Sequence, residues 1–326
     1  MAARSDMRPL KVISGLLVLT FGLTACQNSP DPNPIDAANL CVASACGSKT
    51  KLLTIPDAEN MLFTPAGRLF VSGGLNVYEV TRDGPGYRAT ALLDGSCNFT
   101  GLAVRGEVLY ANCFDGQLYA AQLTSTPKLR VIYNLGLAAP NGLAAGPDGA
   151  LYLVNGPLAS NALPDPKIVR LVFAANDPFQ VVSQSDWLTL NPLLSQPNGL
   201  QAHGAALYFS ESSAPTQGRI RRVEINTDGT AGTLTTVLSF NSLPDDFSFA
   251  GDHLLVAYFS AGQIALHDTQ GQLVSSTDAG SFSFPSQLRV GQPPLFSAGD
   301  VLVTEKGVLG DTDSSTGNAL SLFRRP

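Results

Sequence analysis

Six residues that open six similar phrases are candidates to meet around one ion: Glu59, Thr100, Asn141, Asn198, Asp245 and Ser286. Together they offer two carboxylates, two carboxamides and two hydroxyls, with no His, Cys or basic residue among them. An oxygen-only set of this kind suits one hard divalent cation, calcium first, then magnesium or manganese, with zinc as a further candidate. Without a cation, two carboxylates ~5 Å apart repel by about 3 kcal/mol at an effective dielectric near 20, or one takes up a proton. The competing reading is that Pro140-Asn141-Gly142 and Pro197-Asn198-Gly199 are turn formers and that water and ordinary hydrogen bonds fill the space.

What could bring such residues together is a repeat. Each of the six opens the pattern "polar residue, apolar strand, Gly turn, apolar strand", at successive spacings of 41, 41, 57, 47 and 41 residues. Periods near 40–45 residues that carry strand alternation are the mark of a β-propeller. Further strands follow in most units (NVYEVTR, QLYAAQL, KIVRLVF, RIRRVEI, QIALHD), and Gly149, Gly229 and Gly116 stand where turns are needed. The last unit is one strand short, and KLLTIP (51–56) is available to complete it. The expected fold is all-β: a six-bladed β-propeller whose ring is closed by the N-terminal strand pairing with the last blade. Residues that begin innermost strands then converge on the rim of one central channel.

The phrases PNGLAAGPDGALYLVN and PNGL…LYFSESS…GRIRRVEI resemble those of the senescence-marker/gluconolactonase family of six-bladed propellers. That resemblance implies one divalent cation on the channel axis, held by Glu59, Asn141, Asn198 and Asp245. Glu59 sits in PDAENMLF, where Asn60-Met61 replaces the family's Gly-Pro, and Asp245 sits in LPDDFSF, where Asp246 replaces a Gly. Asp245 and Asp246 therefore compete for the inward position, and Pro244 aligns Asp245 with the family. If activity follows the resemblance, the reaction is hydrolysis of a lactone or related ester, with Asp245 as ligand and general base. Strictosidine-synthase-like propellers share blade phrases too, so the alternative is a non-catalytic propeller that binds a ligand or a protein.

No other catalytic set competes. The chain lacks a Gly-x-Ser-x-Gly elbow, and His203, His253 and His267 read as surface residues. Specificity for a small-molecule substrate is expected from loops on the ring's face, at residues 156–166, 211–218 and 305–317. Asn155 and Glu211 at the loop bases, with Thr100 and Ser286 of the ring, are the candidate substrate contacts.

The first 25 residues read as a signal peptide: Arg4, Arg8 and Lys11 precede an apolar run from Val12 to Ala25. Leu23-Thr24-Ala25-Cys26 resembles the lipobox of bacterial lipoproteins, which implies that Cys26 is lipidated and anchors an exported protein on the periplasmic or cell-surface face of the envelope. The expected organisation is a signal over 1–25, the lipidated Cys and a flexible linker over 26–47, and the propeller over 48–326. In an oxidising compartment Cys97–Cys113 and Cys41–Cys46 are the favoured disulfides, the first across a hairpin turning at Arg105-Gly106. A four-cysteine zinc site is the alternative, without the Cys-x2-Cys spacing that would support it. Setting aside Arg4, Asp6, Arg8 and Lys11 from 20 basic and 26 acidic residues leaves 17 and 25, a net of −8. That balance, without a basic run, argues against nucleic acid as a partner, and the lipid is the only expected membrane contact.

Overall fold

The computed structural model describes residues 37, 40–95, 97–156, 162–214, 216–308 and 311–326. The expected signal peptide and the lipidation site Cys26 lie outside the described residues. Among the described residues no helix is long and apolar enough to cross a membrane.

Short apolar runs interrupted by Gly turns must bury both faces, and they do so as four-stranded antiparallel sheets stacked side by side. Six such sheets form the molecule, each with its strands in chain order from the inside outward except the last. The innermost strands are Ala58–Phe63, Phe99–Arg105, Pro140–Ala145, Gln196–His203, Pro244–Ala250 and Pro285–Val290. Each touches the next, and the sixth returns to the first, so they surround a common axis. The protein is a six-bladed β-propeller. In blade 6 the outermost strand is the chain's first, Ser48–Thr54, antiparallel to Ala319–Arg324, which closes the ring as expected.

The core consists of six wedges between neighbouring blades. Alternation along one strand serves two of them: Leu151 and Leu153 face blade 2, while Tyr152 and Val154 face blade 4. The wedge between blades 5 and 6 also takes in Ala37, Leu40, Cys41 and Val42, so the segment expected as a flexible linker is packed over these residues. Both expected disulfides are present, Cys41–Cys46 with Cα atoms 5.8 Å apart and Cys97–Cys113 with 6.1 Å. The hairpin beside the second turns at Gly106-Glu107, one residue later than expected, with Gly106 at φ +57°. The longer third period reflects an outer strand of 13 residues, Asp177–Thr189.

One irregularity recurs in every blade. On each innermost strand three residues are spent where the partner spends two, as from Ala58↔Gly73 to Met61↔Val71. The same step falls between Phe99 and Leu102, Pro140 and Leu143, Pro197 and Leu200, Pro244 and Phe247, and Pro285 and Leu288. These are β-bulges, which break the ladder locally and re-aim side chains. Each holds two residues: Glu59/Asn60, Thr100/Gly101, Asn141/Gly142, Asn198/Gly199, Asp245/Asp246 and Ser286/Gln287. All six unit-start residues are therefore first residues of a bulge.

Bulged backbone groups need partners, and second-strand side chains supply them across blade boundaries. Ser72 Oγ accepts from Asn60 N (3.0 Å) and donates to Thr100 O of the next blade (2.5 Å). Ser210 Oγ does the same between Gly199 N (2.8 Å) and Asp245 O. Thr304 Oγ1 links Gln287 N (2.9 Å) to Glu59 O (2.6 Å), across the seam where the last blade meets the first. Asn112 Nδ2 donates to Asn141 O at 2.9 Å.

Candidate metal centre

The bulges place two polar layers in the channel, one from each of their two positions. In the first layer, Asp245 is the hub. Its Oδ1 accepts from Asn198 Nδ2 (2.7 Å) and its Oδ2 from Ser286 Oγ (2.7 Å). The structure thus brings Asn198, Asp245 and Ser286 together as the repeat predicts, and it puts Asp245 rather than Asp246 in this layer. Burial, and then the nearby Glu59 carboxylate, raise the pKa of Asp245 well above the usual carboxylate range.

Asn141 and Asn198 supply the most telling atoms. Their side-chain oxygens, Asn141 Oδ1 and Asn198 Oδ1, are buried and accept no hydrogen bond. A buried carbonyl oxygen without a donor costs about 1–3 kcal/mol. Both belong to the same bulge position as Glu59 and Asp245, an all-oxygen donor set that fits a hard cation, so the residues present suit the group that the resemblance implies.

The charge in this layer is not what the six unit starts alone would give. Lys306 follows the second strand of blade 6, and its Nζ contacts Glu59 Oε2 and lies 3.6 Å from Asp57 Oδ1. Burial alone would depress this ammonium, but Glu59, Asp57 and Asp245 outweigh it and hold its pKa above the usual lysine value. Lys306, which is not among the six unit starts, thus brings a basic group to a ring whose own members include none. Register aligns Lys306 with Gly74, Phe114, Gly156, Ser212 and Phe259 of the other blades, so it is the one charged residue at that place in the repeat. A comparison of second-strand ends, rather than of first-strand beginnings, would have found it.

The remaining candidates serve the scaffold. Thr100 Oγ1 donates to Pro140 O (2.9 Å) and accepts from Asn112 Nδ2 (2.8 Å). Asn155 Oδ1 accepts from Ala139 N (3.0 Å) and its Nδ2 donates to Asp165 O (2.7 Å). Glu211 is fully buried, paired with Arg219 and Arg221 at 2.8 Å each and bonded to Ser195 Oγ. Both were expected to touch substrate; their polar atoms are instead committed within the blade. Glu305, in register with them, explains the pattern: it accepts from Ser283 N (2.6 Å) and pairs with Lys49 (3.1 Å). At this place a polar side chain tethers the segment that leads into the blade's own inner strand. Residues 211–218, expected as a loop, are mostly strand, in a hairpin of Ala206–Ala214 with Gln217–Ile225. Residues 157–161 and 309–310 of the other two loops lie outside the described residues.

Of the histidines expected at the surface, His203 and His253 are half-buried, and His267 is buried, its Nε2 2.7 Å from Tyr258 Oη. Cys97, Cys113 and Asp115 form a close cluster of metal-ligand types. The two sulfurs are joined to each other, however, so neither is a thiolate free to bind a metal.

The second layer was not foreseen. At the second bulge positions, blades 2, 3 and 4 carry Gly, while blades 1, 5 and 6 carry Asn60, Asp246 and Gln287. Gln287 Nε2 donates to Asn60 Oδ1 (2.7 Å) and Asp246 Oδ2 (2.6 Å), and Gln287 Oε1 accepts from Met61 N (2.5 Å). Asp246 also accepts from Phe247 N (2.7 Å) and Gln201 Nε2 (3.2 Å). Burial pushes its pKa up to about 6, against the pull of these donors and of Arg289. The glycines opposite are required by space: a Cβ on Gly199 would meet the Asp246 carboxylate.

No protein-family model matches the chain, and no curated protein does. Several solved structures share its architecture. A calcium-binding protein, regucalcin, from Agrobacterium tumefaciens superposes with a TM-score of 0.63 at 15% identity, covering 84% of this chain and 92% of that one. The PQQ-bound aldose sugar dehydrogenase of Streptomyces coelicolor gives 0.60 at 16% identity, covering 86% and 98%. A putative oxidoreductase (glucose dehydrogenase) from Thermus thermophilus gives 0.58 at 18%, covering 85% and 99%. The likeness is one of fold.

Proposed function

We propose that the chain is a divalent-cation-dependent hydrolase of lactones or related esters, exported and held at a membrane surface by lipid on Cys26. Glu59, Asn141, Asn198 and Asp245 would hold the cation, calcium before magnesium, manganese or zinc. The observation that carries this reading is the pair of buried, donorless oxygens, Asn141 Oδ1 and Asn198 Oδ1, in the same layer as two carboxylates. The Agrobacterium protein of like fold is described as calcium-binding, which agrees with it.

A bound divalent cation supplies Lewis-acid polarisation of an ester carbonyl. The chain's own part is orientation and proton handling. Asn198 Nδ2 and Ser286 Oγ fix the Asp245 carboxylate from both sides. Asp245 would act as the general base on the attacking water. Lys306, fixed on Glu59 and close to Asp57, offsets part of the carboxylate charge at this end of the ring.

Lys306 also favours a second reading, in which its ammonium serves as the ring's cation and the propeller binds a ligand or protein without catalysis. Calorimetric titration of calcium into the chelator-treated full-length protein separates the two. One-to-one binding that is lost in an Asn141→Ala, Asn198→Ala double variant supports the hydrolase. No binding of calcium, magnesium, manganese or zinc leaves the second reading.

A further inference from the structure

Beyond the second polar layer the channel opens again into a cavity of about 540 Å³ with residues from all six inner strands in its walls. Its position, past the bulges and towards the turns between first and second strands, is at the opposite end from the candidate cation ring. Leu62, Leu102, Leu143 and Phe249 contribute apolar atoms to its walls, and Gln201, Arg289 and Gln292 contribute polar ones.

Arg289 is the unusual element. Its Nε donates to Met61 O (3.1 Å) and its Nη2 to Gln201 Oε1 (2.7 Å), both neutral acceptors. Among the described residues no carboxylate reaches it within ion-pair distance, and its Nη1 makes no hydrogen bond to protein. The nearest acid, Asp246, does not line the cavity; Gln201 stands between them, accepting from Arg289 and donating to Asp246. Glu107 lines the cavity too, but as an exposed residue of the hairpin turn, where water screens it. The guanidinium is thus held rigid by two bonds, stays charged at all ordinary pH, and keeps an edge of donors for an acceptor that the protein does not provide.

We propose that this cavity is a binding site for a small amphipathic carboxylate, whose anionic head pairs with Arg289 and whose apolar body lies against Leu62, Leu102, Leu143 and Phe249. Planar donors match a carboxylate two by two. The volume falls in the range of small-molecule pockets, about 300–1,000 Å³. An amphipathic acid can use both the polar and the apolar parts of this wall, whereas an inorganic anion gains nothing from the apolar part. The site needs no cation, and the Asn60–Gln287–Asp246 layer stands between it and the ring.

The test uses the full-length protein in excess chelator, with 4-phenylbutyrate, its uncharged amide and inorganic phosphate as probes in isothermal titration calorimetry. The expected result is saturable one-to-one binding of the acid, with the amide and phosphate each weaker by about tenfold or more, since a hydrogen bond to a charged group is at stake. Arg289→Gln should weaken the acid by a similar factor and leave the amide unchanged; Arg289→Lys, which keeps the charge but loses the fork, should recover part of the loss. Equal binding of acid and amide by the unmodified protein would overturn the proposal without reliance on any variant. So would equal binding of phosphate, dependence of acid binding on an added cation, or no saturable acid binding in the millimolar range.

Discussion

Replacing Lys306 with Met tests the electrostatics of the ring directly. The ammonium is largely buried, with its side chain 13% exposed against 4% for Glu59, and it also faces Asp57 at 3.6 Å. Met keeps the apolar stem and removes the charge, leaving Glu59 and Asp245 without a compensating cation. Breaking a buried pair from one side costs about 3–5 kcal/mol. For a domain of this size each kcal/mol moves the melting temperature by roughly 2–4 °C, so a fall of about 6–20 °C is expected in chelator. Calcium should then restore more stability to the variant than it adds to the unmodified protein, where it must displace the ammonium. Saturation at about 100 times Kd is worth roughly 2.7 kcal/mol. Differential scanning calorimetry with chelator and with excess calcium reads both quantities. A melting temperature in chelator within about 2 °C of the unmodified protein, or a calcium increment no larger than its own, would refute the reasoning.

Gly199→Ala should destabilise the fold by about 1–3 kcal/mol or more in urea titration, because its Cβ would collide with the Asp246 carboxylate and lie 2.7 Å from Asp246 Cα. Gly299→Ala, with no atom within 4 Å of the new Cβ, should be neutral or slightly stabilising and serves as the control. Burial holds the pKa of His267 below its ordinary value, so the unfolded chain gains a proton near pH ~6.5 before the folded one does. Stability from this group is present above that pH and is lost as pH falls towards the folded value. The urea midpoint of His267→Gln, whose amide can still accept from Tyr258, should therefore fall less steeply with acidification than that of the unmodified protein. Cys113→Ser opens a link of 16 residues and should cost about 3 kcal/mol, read as a lower melting temperature.

The repeat was legible because its period and its polar openings have a single geometric cause. Each blade must start at the axis with a bulge, and Glu59, Thr100, Asn141, Asn198, Asp245 and Ser286 are the first residues of those bulges. Closure by the first strand was legible too, since the last unit lacked one. Less visible was what a bulge does with its second residue. Asn60, Asp246 and Gln287 look like departures from the Gly of the other three blades, yet they bond to one another as a layer, while the glycines leave room for the backbone of the next blade or for Asp246. Lys306 escaped because it belongs to the end of a second strand and comes to Glu59 only through ring closure, 247 positions along the chain. The scaffold contacts of Asn155 and Glu211 were not legible either: Asn155 bonds to the backbone of Ala139 and Asp165, and Glu211 to Arg219, Arg221 and Ser195, partners that the fold rather than the sequence brings to them.

Ring closure also sets a timetable for synthesis. The strand Ser48–Thr54 leaves the ribosome early, but its partner Ala319–Arg324 comes last. At about 5–20 residues per second, the intervening chain takes roughly 15–50 s to make. Throughout that interval the first strand is an orphan edge. Its Lys49 and Lys51, exposed even in the finished ring, mark it as a poor template for foreign strands while it waits. A chain that stops a few residues short of Ala319 would hold five complete blades and leave its first strand without a partner.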